Sequence, residues 1–369
     1  MTFEESALTQ GKQLSTDEDA DRLLADGIAA WHRADYSAAE TLLDLARKLS
    51  PRPASAQRRA DCLKNLGIVY RRTGRFALAE QAYQRAWNTY ERLGARKESA
   101  DCLKNLGVLF RCTGRLPEAE DACHRASFIY TELGLAKQVA DCAWNLGVVR
   151  RLQGRLDDAE SAYLKARGQF ISLGLRLECA RVDLDRGLAR LLLDDSQQPD
   201  VARRILDLWV PAVLYLDAVR FQFPSPAARR AWHGTIQIWY QRIFELAATS
   251  HDHQLVADLV ESTINNGYYP VAPPSGDHGI DIGAEPSESV GLPDPFDDER
   301  PGTKIHDREG PALTMKAGAS RLIAGTTLRL APAPHLLAPY GRGVLADHWA
   351  LVASSFDDPS SQAPQLPIW

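Results

Sequence analysis

Ala60-Asp61-Cys62-Leu63-Lys64-Asn65-Leu66-Gly67 decides the fold, because it returns. Forty residues on stands Ala100-Asp101-Cys102-Leu103-Lys104-Asn105-Leu106-Gly107, and forty more bring Ala140-Asp141-Cys142-Ala143-Trp144-Asn145-Leu146-Gly147. Fainter copies flank the three: Ala20-Asp21 with Gly27 upstream, and Ala180 with Asp185 and Gly187 downstream. A fixed period of this size marks stacked supersecondary units, each burying its apolar face against the next.

One unit reads as two helices. Residues 60 to 72 carry Leu63, Leu66, Val69 and Tyr70 at helical spacing. The turn Thr73-Gly74-Arg75 follows, its Gly suited to the left-handed conformation that ends a helix. Residues 76 to 93 form the second helix, with Phe76, Ala79, Tyr83, Ala86 and Tyr90 on one face, and Gly94 closes it as Gly134 and Gly174 close its copies. Small residues recur where the two helices must approach: Gly67, Gly107 and Gly147 in the first, Ala79, Ala119 and Ala159 in the second. A Gly inside a helix costs about 1 kcal/mol against Ala, so three in register imply close packing that offsets the loss.

These positions resemble the tetratricopeptide repeat, or TPR, family. Its pattern is matched by Leu66-Gly67, Tyr70, Gly74, Phe76, Ala79-Glu80, Tyr83 and Ala86, and the match covers residues 20 to 193, about four and a half units. The period is longer than the usual one, and Glu91, Glu132 and Ser172 stand near where a Pro normally closes the second helix. The second helix should therefore run on by about two turns, as in the long repeats of kinesin light chain. The resemblance implies an all-α, right-handed superhelical solenoid. The first unit, 20 to 59, keeps Trp31, Tyr36, Ala39 and Glu40 but has Ala34 for the turn Gly, and Ser50-Pro51-Arg52-Pro53 makes its exit loop. A terminal repeat caps the stack and is expected to be atypical.

Beyond the array, residues 194–267 read as a helical extension rich in aromatics. Its helices are expected at 199–220, 226–249 and 253–265, and it is not a TPR by pattern. Residues 1–19 and the Pro-, Gly- and Asp-rich stretch 268–335 carry too little apolar surface to fold alone and are expected to be disordered. In the tail, 336–369, residues 343–353 can make one amphipathic helix, docked back on the solenoid or on a partner. This second block is similar to the non-catalytic part of actinobacterial proteins of the CHAT group (caspase-like, associated with TPRs). The matching stretches are Ala212 to Pro224, Ala227-Ala228-Arg229-Arg230-Ala231-Trp232, Leu255 to Ser262, Pro339-Tyr340-Gly341-Arg342 through Leu345-Ala346, and Pro367-Ile368-Trp369. CHAT peptidases work through a His and Cys pair. Here all six cysteines precede residue 180 and no caspase-like α/β pattern follows, so protease activity is not carried over.

Composition sets further bounds. Charged residues make up 25% and hydrophobics 45%, which is ordinary for a soluble chain, and no apolar run is long enough for a membrane span. The acidic start of the chain is unlike a secretory leader, and a cytoplasmic location is expected. Cys62, Cys102 and Cys142 share one repeat position beside leucines, and no CxxC spacing occurs. They read as small buried hydrophobes, not zinc ligands. No phosphate loop, dinucleotide fingerprint or HExxH motif is present, so neither an enzyme nor a cofactor is expected. His251-Asp252-His253 reads as a turn between helices, and His32, His124 and His233 as surface or packing residues.

The repeat itself supplies the candidate site. The TPR resemblance implies that Asn65, Asn105 and Asn145 face the inner groove, where an amide can both donate to and accept from a ligand's backbone. The alternative is that each amide bonds the neighbouring repeat and fixes stacking. Lys64 and Lys104 precede the first two, and Arg71, Arg111 and Arg151 follow about two turns on, which predicts a cationic stripe on the same side. Residues 60–179 hold 19 Lys and Arg against 14 Asp and Glu, whereas residues 268–369 hold 7 against 13. The expected ligand is an extended, acidic peptide of another protein, or the chain's own acidic tail, because Arg pairs carboxylates through its planar fork. Nucleic acid is not expected, since net charge is −5 and no aromatic platform interleaves the basic positions. The expected function is a non-enzymatic binding scaffold, the alternative a partner subunit of a CHAT-type peptidase system.

Overall fold

The computed structural model describes residues 17–50, 55–193, 199–218, 226–265, 335–337, 343–356 and 365–367. The flanking segment 1–16 and nearly all of the 268–335 stretch lie outside the described residues. The chain divides into two units, the first ending at Leu133 and the second beginning at Gly134.

The first unit holds six helices: α1 (Glu18–His32), α2 (Tyr36–Lys48), α3 (Ala56–Arg72), α4 (Phe76–Leu93), α5 (Arg96–Cys112) and α6 (Leu116–Glu132). They pack as three hairpins, α1 with α2, α3 with α4 and α5 with α6. Helix α2 also packs on α3 and α4 on α5, and the first helices α1, α3 and α5 lie side by side. Helix α3 starts four residues earlier than the apolar spacing indicates, because Arg59 ties its first turn back to the Ser50 carbonyl at 2.6 Å.

Close approach holds each hairpin shut. A Cβ placed on Gly67 of α3 would lie 2.5 Å from the Tyr83 ring of α4, well inside contact distance. In the next hairpin the partner of Gly107 is Cys123, whose Sγ would stand 2.9 Å away. Tyr83 is fully buried there, with Ala79 beside it. Two polar motifs repeat with the same period. Within a hairpin, the Tyr90 hydroxyl donates to Asp61 at 2.6 Å, and Tyr130 donates to Asp101 at 2.6 Å. Between hairpins, Arg75 bonds Glu40 at 2.6 Å and Arg115 bonds Glu80 at 2.9 Å. Each of these arginines also stacks on an aromatic ring, Tyr70 at 4.6 Å and Phe110 at 4.2 Å.

The second unit begins with the hairpin α7 (Ala136–Leu152) and α8 (Leu156–Ser172), in which Gly147 meets Tyr163 as Gly67 meets Tyr83. Helices α9 (Arg176–Leu193) and α10 (Pro199–Ala218) pack as a further pair. Trp209 of α10 lies against Gly187, and its indole N–H donates to the Leu184 carbonyl at 2.9 Å. The sequence pattern stops at residue 193, yet the close approach recurs with a larger ring. Helices α11 (Pro226–Thr249) and α12 (His253–Asn265) follow, separated by the turn that holds His251 and Asp252. Two three-residue strands, β1 (His335–Leu337) and β2 (Gln365–Pro367), pair in parallel with His335 opposite Gln365.

The tail helix, α13 (Ala346–Phe356), packs on α9 and α10. It begins three residues later than its apolar pattern indicates. Leu345 stands at φ 57°, outside the helix, and its N–H is taken by Asp258 at 2.9 Å, which fixes the start. Among the described residues no helix is long and apolar enough to cross a membrane. All six cysteines are free thiols; five are buried and Cys112 is half-exposed. Burial pushes the Cys62, Cys102 and Cys123 thiols up to about 12.

Ala34 has the left-handed conformation, φ 59°, that Gly74 takes at the same point of the next hairpin with φ 73°. That conformation costs a Cβ-bearing residue about 1 kcal/mol. Ala34→Gly is expected to stabilise the chain by about 0.5 kcal/mol and Gly74→Ala to destabilise it by about 1 kcal/mol, read by urea denaturation. Gly67→Ala, which drives a methyl into the Tyr83 ring, is expected to cost about 2–3 kcal/mol. Gly107→Ala, opposite the smaller Cys123, should cost less in the same assay.

Candidate functional site

The repeated polar residues occupy the first helices. In the first unit, Asp61, Lys64 and Asn65 lie on α3, and Asp101, Lys104 and Asn105 lie at the same register on the adjacent α5. Asn65 is 7% exposed, whereas Asn105 is half-buried. The Asn65 side-chain N–H donates to the Asp61 carbonyl of its own helix at 2.8 Å. A carbonyl only accepts, so the Asn65 oxygen is turned away from that bond.

Asp61 anchors the surroundings. It accepts the Tyr90 hydroxyl, and burial, only partly offset by that bond, holds its carboxyl above the ordinary value. Lys64 stands 4.0 Å from the Asp61 carboxylate, with its ammonium 5.9 Å above the Tyr90 ring. Lys97 reaches Asp101 at 3.4 Å. The face therefore alternates sign instead of carrying a bare cationic charge. Arg71 is half-buried and Arg111 is 8% exposed, so the guanidinium at this repeat position lies inside the hairpin, close to Cys123, and not along an open surface.

In the second unit, the Asn145 side-chain N–H donates to Asp141 at 3.0 Å, the same bond as in α3. Arg151 is 3% exposed; its Nε donates to the Tyr163 hydroxyl at 3.3 Å, and Asp185 lies 4.0 Å away. Trp144, at the lysine position, donates its indole N–H to Asp185 at 2.7 Å and lies under the Arg181 guanidinium at 4.8 Å. Arg181 and Asp185 occupy on α9 the register that Asp141 and Asn145 occupy on α7. The polarity of the first two positions is thus altered on the last first-helix of the array. The 40-residue offset carries this signal, although the motif around it has faded.

Sequence reasoning passed over the ionic cluster of the second unit. Asp183, 3% exposed, accepts from Arg167 at 2.8 Å and from Arg186 at 2.9 Å. Glu160 accepts from Arg186 at 2.8 Å and from Arg190 at 3.0 Å, and burial opposes but does not outweigh their effect, which lowers its carboxyl. Nothing periodic announces the cluster, because Asp183 stands where Leu63, Leu103 and Ala143 stand in the repeats. Three of the histidines on helices are engaged locally: His32 stacks on Trp31 at 3.8 Å, His124 lies 3.8 Å from Glu120, and His233 meets Asp217 at 3.0 Å. Among the described residues no group of three His, Cys, Asp or Glu side chains is placed to hold a metal ion.

Residues 98–172 and 59–93 match tetratricopeptide repeat family models. No curated protein matches it in sequence. Solved structures resemble it in fold. The apo form of RapI has 12% identity and a TM-score of 0.50, covering 71% of this chain and 89% of its own. BtubC (BKLC) from P. vanneervenii has 19% identity and a TM-score of 0.47, covering 71% and 98%. The pilF protein of Pseudomonas aeruginosa has 19% identity and a TM-score of 0.44, covering 69% and 95%.

The Asp–Tyr bond that positions Lys64 gives a direct test. Tyr90→Phe removes a hydrogen bond to a half-buried carboxylate and is expected to cost about 1–2 kcal/mol in thermal or denaturant unfolding. Tyr130→Phe should cost the same, because the two sites share one geometry. The Phe170→Tyr substitution at the third copy introduces a hydroxyl near Asp141 and is expected to be neutral or mildly stabilising in the same measurement.

Proposed function

We propose, on the premise that residues 59–93 and 98–172 are tetratricopeptide repeats, that this chain is a protein-interaction scaffold. Its ligand is an extended peptide segment of another protein, laid across the first helices of the hairpins. The observation that carries the reading is the repeated amide. Asn65 and Asn145 each bond the carbonyl four residues back, which fixes the side chain and leaves its oxygen turned away as an acceptor for a ligand N–H. A side chain held in one rotamer loses little entropy when it binds, so even single hydrogen bonds of about 1 kcal/mol accumulate along a repeating face.

Asn65 and Asn105 then hold the main chain of a peptide on the first unit, and Asn145 is their counterpart on the second. Lys64 and Lys104 take acidic side chains, Lys64 by leaving the Asp61 carboxylate 4.0 Å away for that of the ligand. A lone lysine–carboxylate pair of that length is worth about 0–1 kcal/mol, so the exchange tunes selectivity more than affinity. Arg71, Arg111 and Arg151 act behind this surface. From the interior, their charge favours an anionic ligand without touching it, and Arg151 fixes Tyr163 and thereby the hairpin that carries Asn145.

The test compares affinity capture from native lysate by the wild-type chain and by Asn65→Ala/Asn105→Ala/Asn145→Ala, both checked for unchanged helicity and melting. The variant is expected to lose the partners that the wild type retains, and a captured peptide should bind it about 10–100-fold more weakly. Recovery of the same partners by both chains overturns the reading. Lys64→Glu/Lys104→Glu is expected to weaken acidic peptides selectively, with the loss shrinking at high salt.

A further inference from the structure

Helix α13 lies in a groove of the second unit that grips it in a particular way. Val344, Leu345, Trp349, Val352 and Phe356 are buried. The last three stand at i, i+3 and i+7, a single helical face. Phe356 stacks on Tyr215 of α10 with ring centroids 4.8 Å apart, and the Arg167 guanidinium sits 6.0 Å from the same phenyl ring.

Two hydrogen bonds grip the helix at its ends, and both reach main-chain atoms. Asp258 of α12, 6% exposed, accepts the Leu345 N–H at 2.9 Å, just where the helix starts. Arg167 of α8 donates to the Ser355 carbonyl at 3.4 Å, just where it ends. An anion at the N-terminus and a cation at the C-terminus both match the helix dipole. Each grip is also satisfied within the unit when α13 is ignored. Asp258 accepts the Gln254 amide at 2.7 Å, and Arg167 bonds both Asp183 oxygens at 2.8 Å. Departure of the helix therefore leaves both charges hydrogen-bonded, Arg167 to a counter-charge and Asp258 to an amide, which lowers the cost of leaving a buried charge behind. Charges that read main chain do not select a sequence; selection rests on the apolar positions.

We propose that this groove is a docking site for amphipathic helices, with α13 as a resident ligand that leaves as a unit. Its incoming partner is a helix of about three turns carrying bulky apolar or aromatic residues at i, i+3 and i+7, in the helix-in-groove mode. The groove's fate in experiment does not depend on the peptide reading above.

Hydrogen exchange on the full wild-type chain is the first test. The amides of 346–356 are expected to exchange through a local opening, about tenfold or more faster than those of α9 and α10. Exchange of all three helices in one step makes α13 an ordinary core helix and overturns the proposal. The second test uses the full chain with Trp349→Ala/Phe356→Ala and a fluorescent peptide of residues 343–356. The peptide is expected to bind this variant about tenfold or more tightly than it binds the wild type, whose groove is filled, and Asp258→Ala added to the variant should weaken that binding. Equal binding to both chains, or none to a variant of unchanged helicity, overturns the proposal. A wild-type chain that dimerises in light scattering by exchanging α13 overturns the choice of a partner helix in favour of a second copy.

Discussion

The close approach of a first-helix backbone to a bulky side chain of the second helix is the constraint on which the rest of the structure depends. Gly67 against Tyr83 and Gly147 against Tyr163 leave no room for even a methyl group. A glycine within a helix weakens that helix by itself. The ring that fills the space restores the loss through buried apolar contact, and it brings the two axes close enough for Ala79 or Ala159 to interlock. The pair in which Trp209 lies against Gly187 is built this way too, whereas Gly27 meets Leu43 and Gly107 meets Cys123 in the place of a ring.

Once the hairpins are closed, their polar residues can be precise. Tyr90 and Tyr130 come from second helices and fix Asp61 and Asp101 on first helices, so the carboxylates are positioned by the hairpin core and not by the surface. The interhairpin bonds of Arg75 and Arg115 work differently. They lie on exposed ground, where such pairs contribute at most about 1 kcal/mol, and their stacking on Tyr70 and Phe110 sets register more than stability. The second unit departs from the first of these patterns. Phe170 lacks the hydroxyl, and charge is concentrated in the Asp183 and Glu160 cluster.

Much of the fold was legible because periodicity reports what a whole hairpin must bury. The helices 76–93, 226–249 and 253–265 fall on the residues read from spacing, and the turn glycines have the left-handed conformation expected of them. The α9–α10 pair was hidden, since Trp209 lies 22 residues beyond Gly187 where the repeats place the ring 16 residues on. The strands β1 and β2 were hidden too, three residues each with no alternation to read. At the candidate site, register was legible and depth was not. Sequence spacing places Arg111 and Arg151 on the side of the asparagines, but four residues past the packing glycine the side chain turns inward, toward Cys123 or Tyr163. The start of α13 shows the same limit: Asp258, 87 residues away in the chain, decides it.

The thiols illustrate what such interlocking does to chemistry. Thiolates, not thiols, react with alkylating agents and oxidants. Five of the six cysteines are sealed between helices, and at Cys62, Cys102 and Cys123 ionisation is held back to about 12. Cys112, at the last turn of α5, is the sixth and meets solvent. A chain rich in sulfur thus behaves toward reagents almost as though it carried a single cysteine. That residue offers a natural anchor for one fluorophore or spin label on the native protein.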